Sequence, residues 1–167
     1  MGRDSLDGQA SVETQIAILP IASDDELTRL LGACDLLFSD VGSRGGLSFF
    51  GCRREGALVG AVGLEAFGDV ALLRSLAVHP SCRGGGLGRA LVHFVEAEAL
   101  RARVRSLYLL TSTASAFFAR LGFHHTDRDG APPPIRTTSQ FASLCPSSAH
   151  LMVKRLKAQA RPAALSS

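Results

Sequence analysis

An apolar run over residues 70–78 leads into a basic, glycine-rich turn, and an amphipathic segment follows it directly. The turn reads Arg83-Gly84-Gly85-Gly86-Leu87-Gly88-Arg89. The chemistry this spacing offers is anion binding. The first amides of a helix have no intrahelical acceptor, and the helix dipole adds positive potential at the same end. Glycines let the backbone approach phosphate oxygens, and Arg83 and Arg89 supply charge. The design suits a pyrophosphate. Two familiar phosphate patterns fail here. A Walker A loop needs Gly-Lys followed by Ser or Thr, which occurs nowhere in the chain. A dinucleotide fingerprint needs a third glycine where Arg89 stands, and an acid where Thr111-Ser112-Thr113 follows the next strand.

A third pattern fits. Residues 83–88 match R/Q-x-x-G-x-G/A, and in this the chain resembles the GNAT N-acetyltransferases, whose coenzyme A loop has that form. Leu76-Ala77-Val78-His79-Pro80 stands where that family's preceding strand ends in L-A-V-x-P, and Leu121-Gly122-Phe123 where it has L-G-F. The resemblance spans residues 15–156 and is strongest over 57–123. More narrowly, three strings are similar to the arsenic-resistance N-acetyltransferase subgroup. They are Gly63-Leu64-Glu65, the run Gly68-Asp69-Val70 through Leu76, and Ile135-Arg136-x-Thr138-x-x-Phe141-x-x-Leu144-Cys145-Pro146-x-Ser148-Ala149.

The resemblance implies acetyl-CoA as co-substrate and direct attack of an amine on the thioester, while the Cys and His spacing offers no metal site. Three tasks follow: deprotonating the ammonium, steadying the oxyanion and protonating the leaving sulfur. It places Leu76, Ala77 and Val78 along the pantetheine arm, with a backbone amide near a strand bulge holding the thioester carbonyl. Such a bulge would splay this strand from residues 106–110 and open a slot. The loop residues Arg83, Gly84, Gly85, Gly86, Leu87, Gly88 and Arg89 would take the pyrophosphate. Many members carry a tyrosine before L-G-F as acid; counting back from Gly122, that position is Phe118, which has no proton to give. Thr111 stands where the family often has Asn. The single tyrosine, Tyr108, falls in a strand expected to be buried.

Glu65 ends an apolar strand and is the candidate base or amine-orienting group. A two-residue loop at Phe67-Gly68 would set it opposite Val70, on one sheet face with Leu72 and Arg74, so that Glu65 and Arg74 share a substrate pocket. The plain alternative is a solvated strand end with Arg74 pairing locally. Arg136 could hold a substrate oxyanion at two points, or be a surface arginine at a helix start. Cys145 is either functional or a structural cysteine before Pro146.

These residues need a scaffold, and the apolar periodicity supplies one. Strands are expected over residues 15–19, 47–53, 57–65, 70–78, 106–110 and 149–156, with another starting at Phe123. Ser23 with Glu26 reads as a capping box before a helix that buries Leu27, Leu30 and Leu31. A second helix carries Leu87, Leu91, Phe94 and Val95, and a third spans residues 114–121, ended by Gly122. Pro132-Pro133-Pro134 predicts a stiff extended connection, with 135–144 helical after it. The order predicts an α/β fold with a mixed, mostly antiparallel sheet flanked by helices. One domain over 14–156 is expected, between disordered segments 1–13 and 157–167.

Length and composition set the outer limits. A chain of 167 residues, 46% hydrophobic and 20% charged, has material for one core. A net charge of +3 without a Lys/Arg run argues against nucleic acid. No apolar stretch is long enough for a membrane span, and four separated cysteines without C-x-x-C suit a reduced, cytoplasmic setting. The expected partner is a small-molecule amine, with a homodimer compatible. Two other classes stay open: a coenzyme-binding regulatory module without turnover, and a protein N-acetyltransferase, which would need an open peptide groove.

Overall fold

The computed structural model describes residues 16–36, 38–39, 46–144 and 148–157, the side chains of 143 and 144 excepted. The expected tails at 1–13 and beyond 157, and Cys145, lie outside the described residues. Among the described residues seven strands form one sheet: β1 (Leu19–Ile21), β2 (Leu47–Arg54), β3 (Ala57–Phe67), β4 (Val70–Val78), β5 (Ser106–Thr111), β6 (His124–Thr126) and β7 (His150–Arg155). Their order is β1-β2-β3-β4-β5-β7-β6, and every neighbouring pair is antiparallel except β4 with β5. The same residues form four α-helices: α1 (Asp25–Ala33), α2 (Leu87–Arg101), α3 (Ser115–Arg120) and α4 (Pro133–Arg136). This is the mixed α/β architecture the element order predicts.

Alternation along the strands sends side chains to two faces. Phe50, Cys52, Val62, Leu64, Ala71, Leu73, Leu107, Leu109 and Met152 meet Leu87, Leu91, Val92, Val95 and Ala99 of α2 in the main core. On the other face Phe49, Ala61 and Ala77 meet Leu27, Leu30 and Leu31 of α1, while Leu72 and Leu151 meet Ile135 of α4. Between those two clusters runs the strip of sheet that carries Gly63, Glu65 and Arg74.

Several local expectations shift. The first strand starts at Leu19 rather than 15, with Pro20 opposite Phe50 on an edge strand, where a missing donor is tolerated. The cap of α1 is Asp24, not Ser23: its Oδ1 accepts the Leu27 amide at 3.1 Å, and Glu26 instead pairs with Arg53. Phe94 is only partly buried, because Val92 and Val95 take the inward face of α2. The three prolines do not form an extended connector. Pro132 caps α4 and Pro133 begins it, a first-turn position where proline's missing amide costs nothing. The 135–144 segment divides into the end of α4 and a single π turn, Gln140–Leu144. No helix among the described residues is long and apolar enough to cross a membrane.

Candidate active site

The site is built around an irregularity in β4. Its pairing with β3 runs Phe67↔Val70, Glu65↔Leu72 and Gly63↔Arg74, then resumes one residue out of step at Ala61↔Ala77 and Gly60↔Val78. The extra residue is at Ser75, whose φ is +55°. Three other described non-glycine residues have positive φ, Asp35, Glu55 and Arg103, and each stands in a turn that ends an element. Ser75 alone stands inside a strand. A left-handed residue with a Cβ costs about 1–2 kcal/mol. The bulge also reverses the alternation: Leu72 and Ala77, of opposite parity, share the α1/α4 face, while Leu76 and Val78 turn to the α2 face with Leu73.

On its other edge β4 pairs in parallel with β5 only through Val70↔Ser106, Ala71↔Leu107 and Leu72↔Tyr108. Beyond Leu72 the strands separate, although β4 continues to Val78 and β5 to Thr111. The slot expected from a bulge is therefore present. The His79 amide donates to the Val59 carbonyl on β3 at 2.8 Å. Alternation then aims the amides of Leu76 and Val78 at the slot rather than at β3. The Val78 carbonyl accepts from Cys34 Sγ at 3.3 Å and Arg83 Nε at 3.1 Å.

The glycine turn lies at the mouth of this slot. Arg83, Gly84, Gly85, Gly86 and Arg89 are exposed, and Leu87 anchors α2 in the core. Gly84 and Gly86 have φ of +87° and +83°, which glycine adopts without strain. Gly85 needs no positive φ, and a Cβ there would meet nothing within 4 Å. Neither conformation nor crowding within this protein calls for a glycine at 85. Without a Cβ the backbone at 85 is open to close approach, and the first-turn amides of α2 follow directly, an arrangement with room for a pyrophosphate. Gly88 lies beside Phe117 and Val78, and a Cβ added to it would stand 3.4 Å from the Phe117 ring. Arg89 Nε is 3.4 Å from His93 Nε2.

Glu65 and Arg74 are on one face, as expected, but the hairpin loop is Gly68-Asp69, so Glu65 faces Leu72 instead of Val70. They bind each other: Arg74 Nη1 donates to Glu65 Oε1 at 3.0 Å, with side-chain exposures of 1% and 7%. Arg74 Nε also donates to Ser75 Oγ at 3.2 Å. The guanidinium and the carboxylate are thus paired with little of either exposed. Gly63 makes room for it, since a Cβ there would be 2.9 Å from the Phe49 ring and 3.1 Å from Arg74 Cγ.

The other expected residues fall apart from this centre or serve the fold. Thr111 Oγ1 accepts the Ala114 amide at 3.0 Å, leading into α3. Phe118 is buried in the main core, its ring edge-on to Phe117 and Phe123, with little surface to offer a coenzyme. Tyr108 is half-buried rather than enclosed, on the α4 face. Arg136 is exposed at the end of α4, not its start, with Nε on the Ala131 carbonyl at 2.9 Å. Sequence reasoning missed Ser75, Cys34 and Phe117. The one available signal was the polar Arg74-Ser75 step inside an apolar run. Among the described residues no group of three or more His, Cys, Asp or Glu could hold a metal.

Comparison with known proteins bears on the fold. Residues 45–125 match the family model described as an acetyltransferase (GNAT) domain, just under half of the chain. N-acetylglutamate synthase from Neisseria gonorrhoeae, complexed with coenzyme A and N-acetyl-glutamate, superposes with a TM-score of 0.71 at 21% identity, covering 86% of this chain and 35% of that one. The chain thus spans about a third of that protein's length. An acetyltransferase from Streptococcus agalactiae gives 0.67 at 17% identity, covering 84% of this chain and 98% of that one. An aminoglycoside 6'-N-acetyltransferase complexed with coenzyme A gives 0.65 at 16% identity, covering 87% and 100%. The structural likeness establishes the fold. Over residues 45–125 the chain is similar to the acetyltransferase (GNAT) domain.

Proposed function

We propose that this protein transfers an acetyl group from acetyl-CoA to the amine of a small molecule, by direct attack. The observation that carries the reading is the exposed loop of Gly84, Gly85 and Gly86, which leaves its backbone open to a ligand directly before the first turn of α2 and beside the end of β4. Arg83, Gly84, Gly85, Gly86, Leu87, Gly88 and Arg89 would hold the pyrophosphate. Leu76, Ala77 and Val78 would flank the pantetheine arm, with the slot-facing amides of Leu76 and Val78 available to the thioester oxygen. Bound there, the thioester supplies the acetyl group. A thiol of ordinary pKa, about 8.5, is a tolerable leaving group, so a chain with Phe118 at the usual tyrosine position needs no side-chain acid.

Glu65 is the amine-orienting group of this proposal, on β3 opposite Leu72, the last residue of β4 to pair with β5. The acceptor is amino-acid-like or an arsenical amine, as the arsenic-resistance strings imply. A small acceptor suits the way Ile135 of α4 packs on Leu72 and Leu151, which covers the sheet beside Glu65 where a peptide groove would otherwise run. Arg136, exposed beside that cover, is the proposed contact for an acceptor oxyanion.

The test is calorimetric titration with acetyl-CoA of the unaltered protein and of Gly86→Glu and Arg83→Glu. Binding by the first and its loss in both variants is the expected result, followed by free coenzyme thiol when an amine panel is added. Folded protein that binds no acetyl-CoA would overturn the proposal. Binding without thiol release across the panel would favour a regulatory module.

A further inference from the structure

We propose that Arg74 is a positioning residue: braced by Glu65, it holds Ser75 in the left-handed conformation and so sets the bulge that opens the slot. The inference rests on the acetyltransferase reading only for what the slot receives. The geometry stands without it. Arg74 is buried, its Nη1 on Glu65 and its Nε on the hydroxyl of the residue that bears the positive φ. Gly63, opposite in the register, has no side chain and leaves the path of the arginine stem clear.

Everything beyond Ser75 depends on that one inserted residue. Because side chains alternate with period two, a regular β4 would turn Ala77 toward α2 and Leu76 toward α1, overfilling the α1 face and underfilling the α2 face. Its edge would also stay in line with β5, whose residues 109–111 lie past the last pair, Leu72↔Tyr108. A serine has no intrinsic preference for positive φ, so some contact must select it. The hydrogen bond from Arg74 Nε to Ser75 Oγ is the contact that can. Glu65 fixes the guanidinium from which it comes.

Glycine adopts positive φ unaided, so the device predicts a specific pattern of rescue. Ser75→Ala removes the hydroxyl and keeps the strain. Arg74→Lys keeps a charge for Glu65 and loses the Nε contact. Both should speed amide hydrogen exchange over residues 73–79 in coenzyme-free protein at least threefold and weaken acetyl-CoA binding about tenfold. Ser75→Gly, alone or with Arg74→Lys, should return both quantities to within about twofold of the unaltered protein. A residue that merely held the fold together, or that touched the acceptor, would not be rescued by a glycine next to it. If Ser75→Ala and Arg74→Lys leave exchange and coenzyme affinity unchanged, or if Ser75→Gly fails to restore Arg74→Lys, the assignment is overturned. The exchange measurement reads the bulge even if acetyl-CoA does not bind, so failure of the enzymatic reading remains distinct from failure of this one.

Discussion

The turn at residues 83–89 and the strip at Gly63, Glu65, Arg74 and Ser75 both place charge and glycine where the chain is otherwise apolar, and they resolve that conflict in opposite ways. In the turn, the arginines stay in water and Gly84, Gly85 and Gly86 face open space, so little packing depends on them. In the strip, both charges are buried and satisfied by each other, and the glycine lies under a phenylalanine ring and an arginine stem. The turn is therefore free to serve a ligand. The strip must first serve the structure.

That contrast can be broken most sharply at the ion pair. Glu65→Ala leaves Arg74 buried without its carboxylate and should cost about 3–5 kcal/mol in a urea unfolding series. Replacing both partners, as Glu65→Leu with Arg74→Met, should recover most of that stability without restoring coenzyme affinity. A loss below about 1 kcal/mol for Glu65→Ala would mean that the pair behaves like a surface contact. Gly63→Ala comes next. Its Cβ would force Phe49 or Arg74 aside, at about 1–3 kcal/mol of overpacking measured the same way. The turn should give the opposite signature. Gly85→Ala should leave stability within about 0.5 kcal/mol, since it needs neither special φ nor space, yet weaken acetyl-CoA binding about tenfold in calorimetry.

The smallest effect concerns Cys52, in the core beneath the turn. Burial pushes its thiol pKa up, the neighbouring Cys82 adds to this, and Arg54 opposes it. A raised folded-state value means the native state holds the proton more tightly than the unfolded chain does. That contribution is complete below the ordinary thiol value of about 8.5 and is lost as pH rises through the raised one. Relative to Cys52→Ala, the unaltered protein should lose stability as pH climbs above about 8.5, and denaturant midpoints across that range would show it.

Much of this protein was legible in its sequence because the signals were local. Alternation predicted β2, β3 and β4 to within two residues, since each strand's own side chains decide which face is apolar. The glycine spacing marked the loop, since an anion site at a helix start is formed by consecutive residues. The misreadings were equally local in cause. Ser23 and Asp24 both can cap a helix, and one residue of phase decided for Asp24. Pro132–Pro134 reads as a stiff spacer because the φ that each ring fixes is shared by an extended connection and a first helical turn, so ring geometry alone does not separate them. Phe118 was assigned by counting, and only the packing of Phe117 and Phe123 around it shows it committed to the core.

By itself the sequence determined the order of elements, the two-faced sheet and the chemistry of the turn, because each is set by residues adjacent in the chain or by the period of a single element. Only the tertiary structure decided that Glu65 and Arg74 neutralise each other, that Ser75 bears the bulge and that β4 leaves β5 after Leu72. Those depend on register between strands. A one-residue change in how β3 and β4 pair alters no propensity within either strand, yet it decides which side chains meet and whether the slot exists.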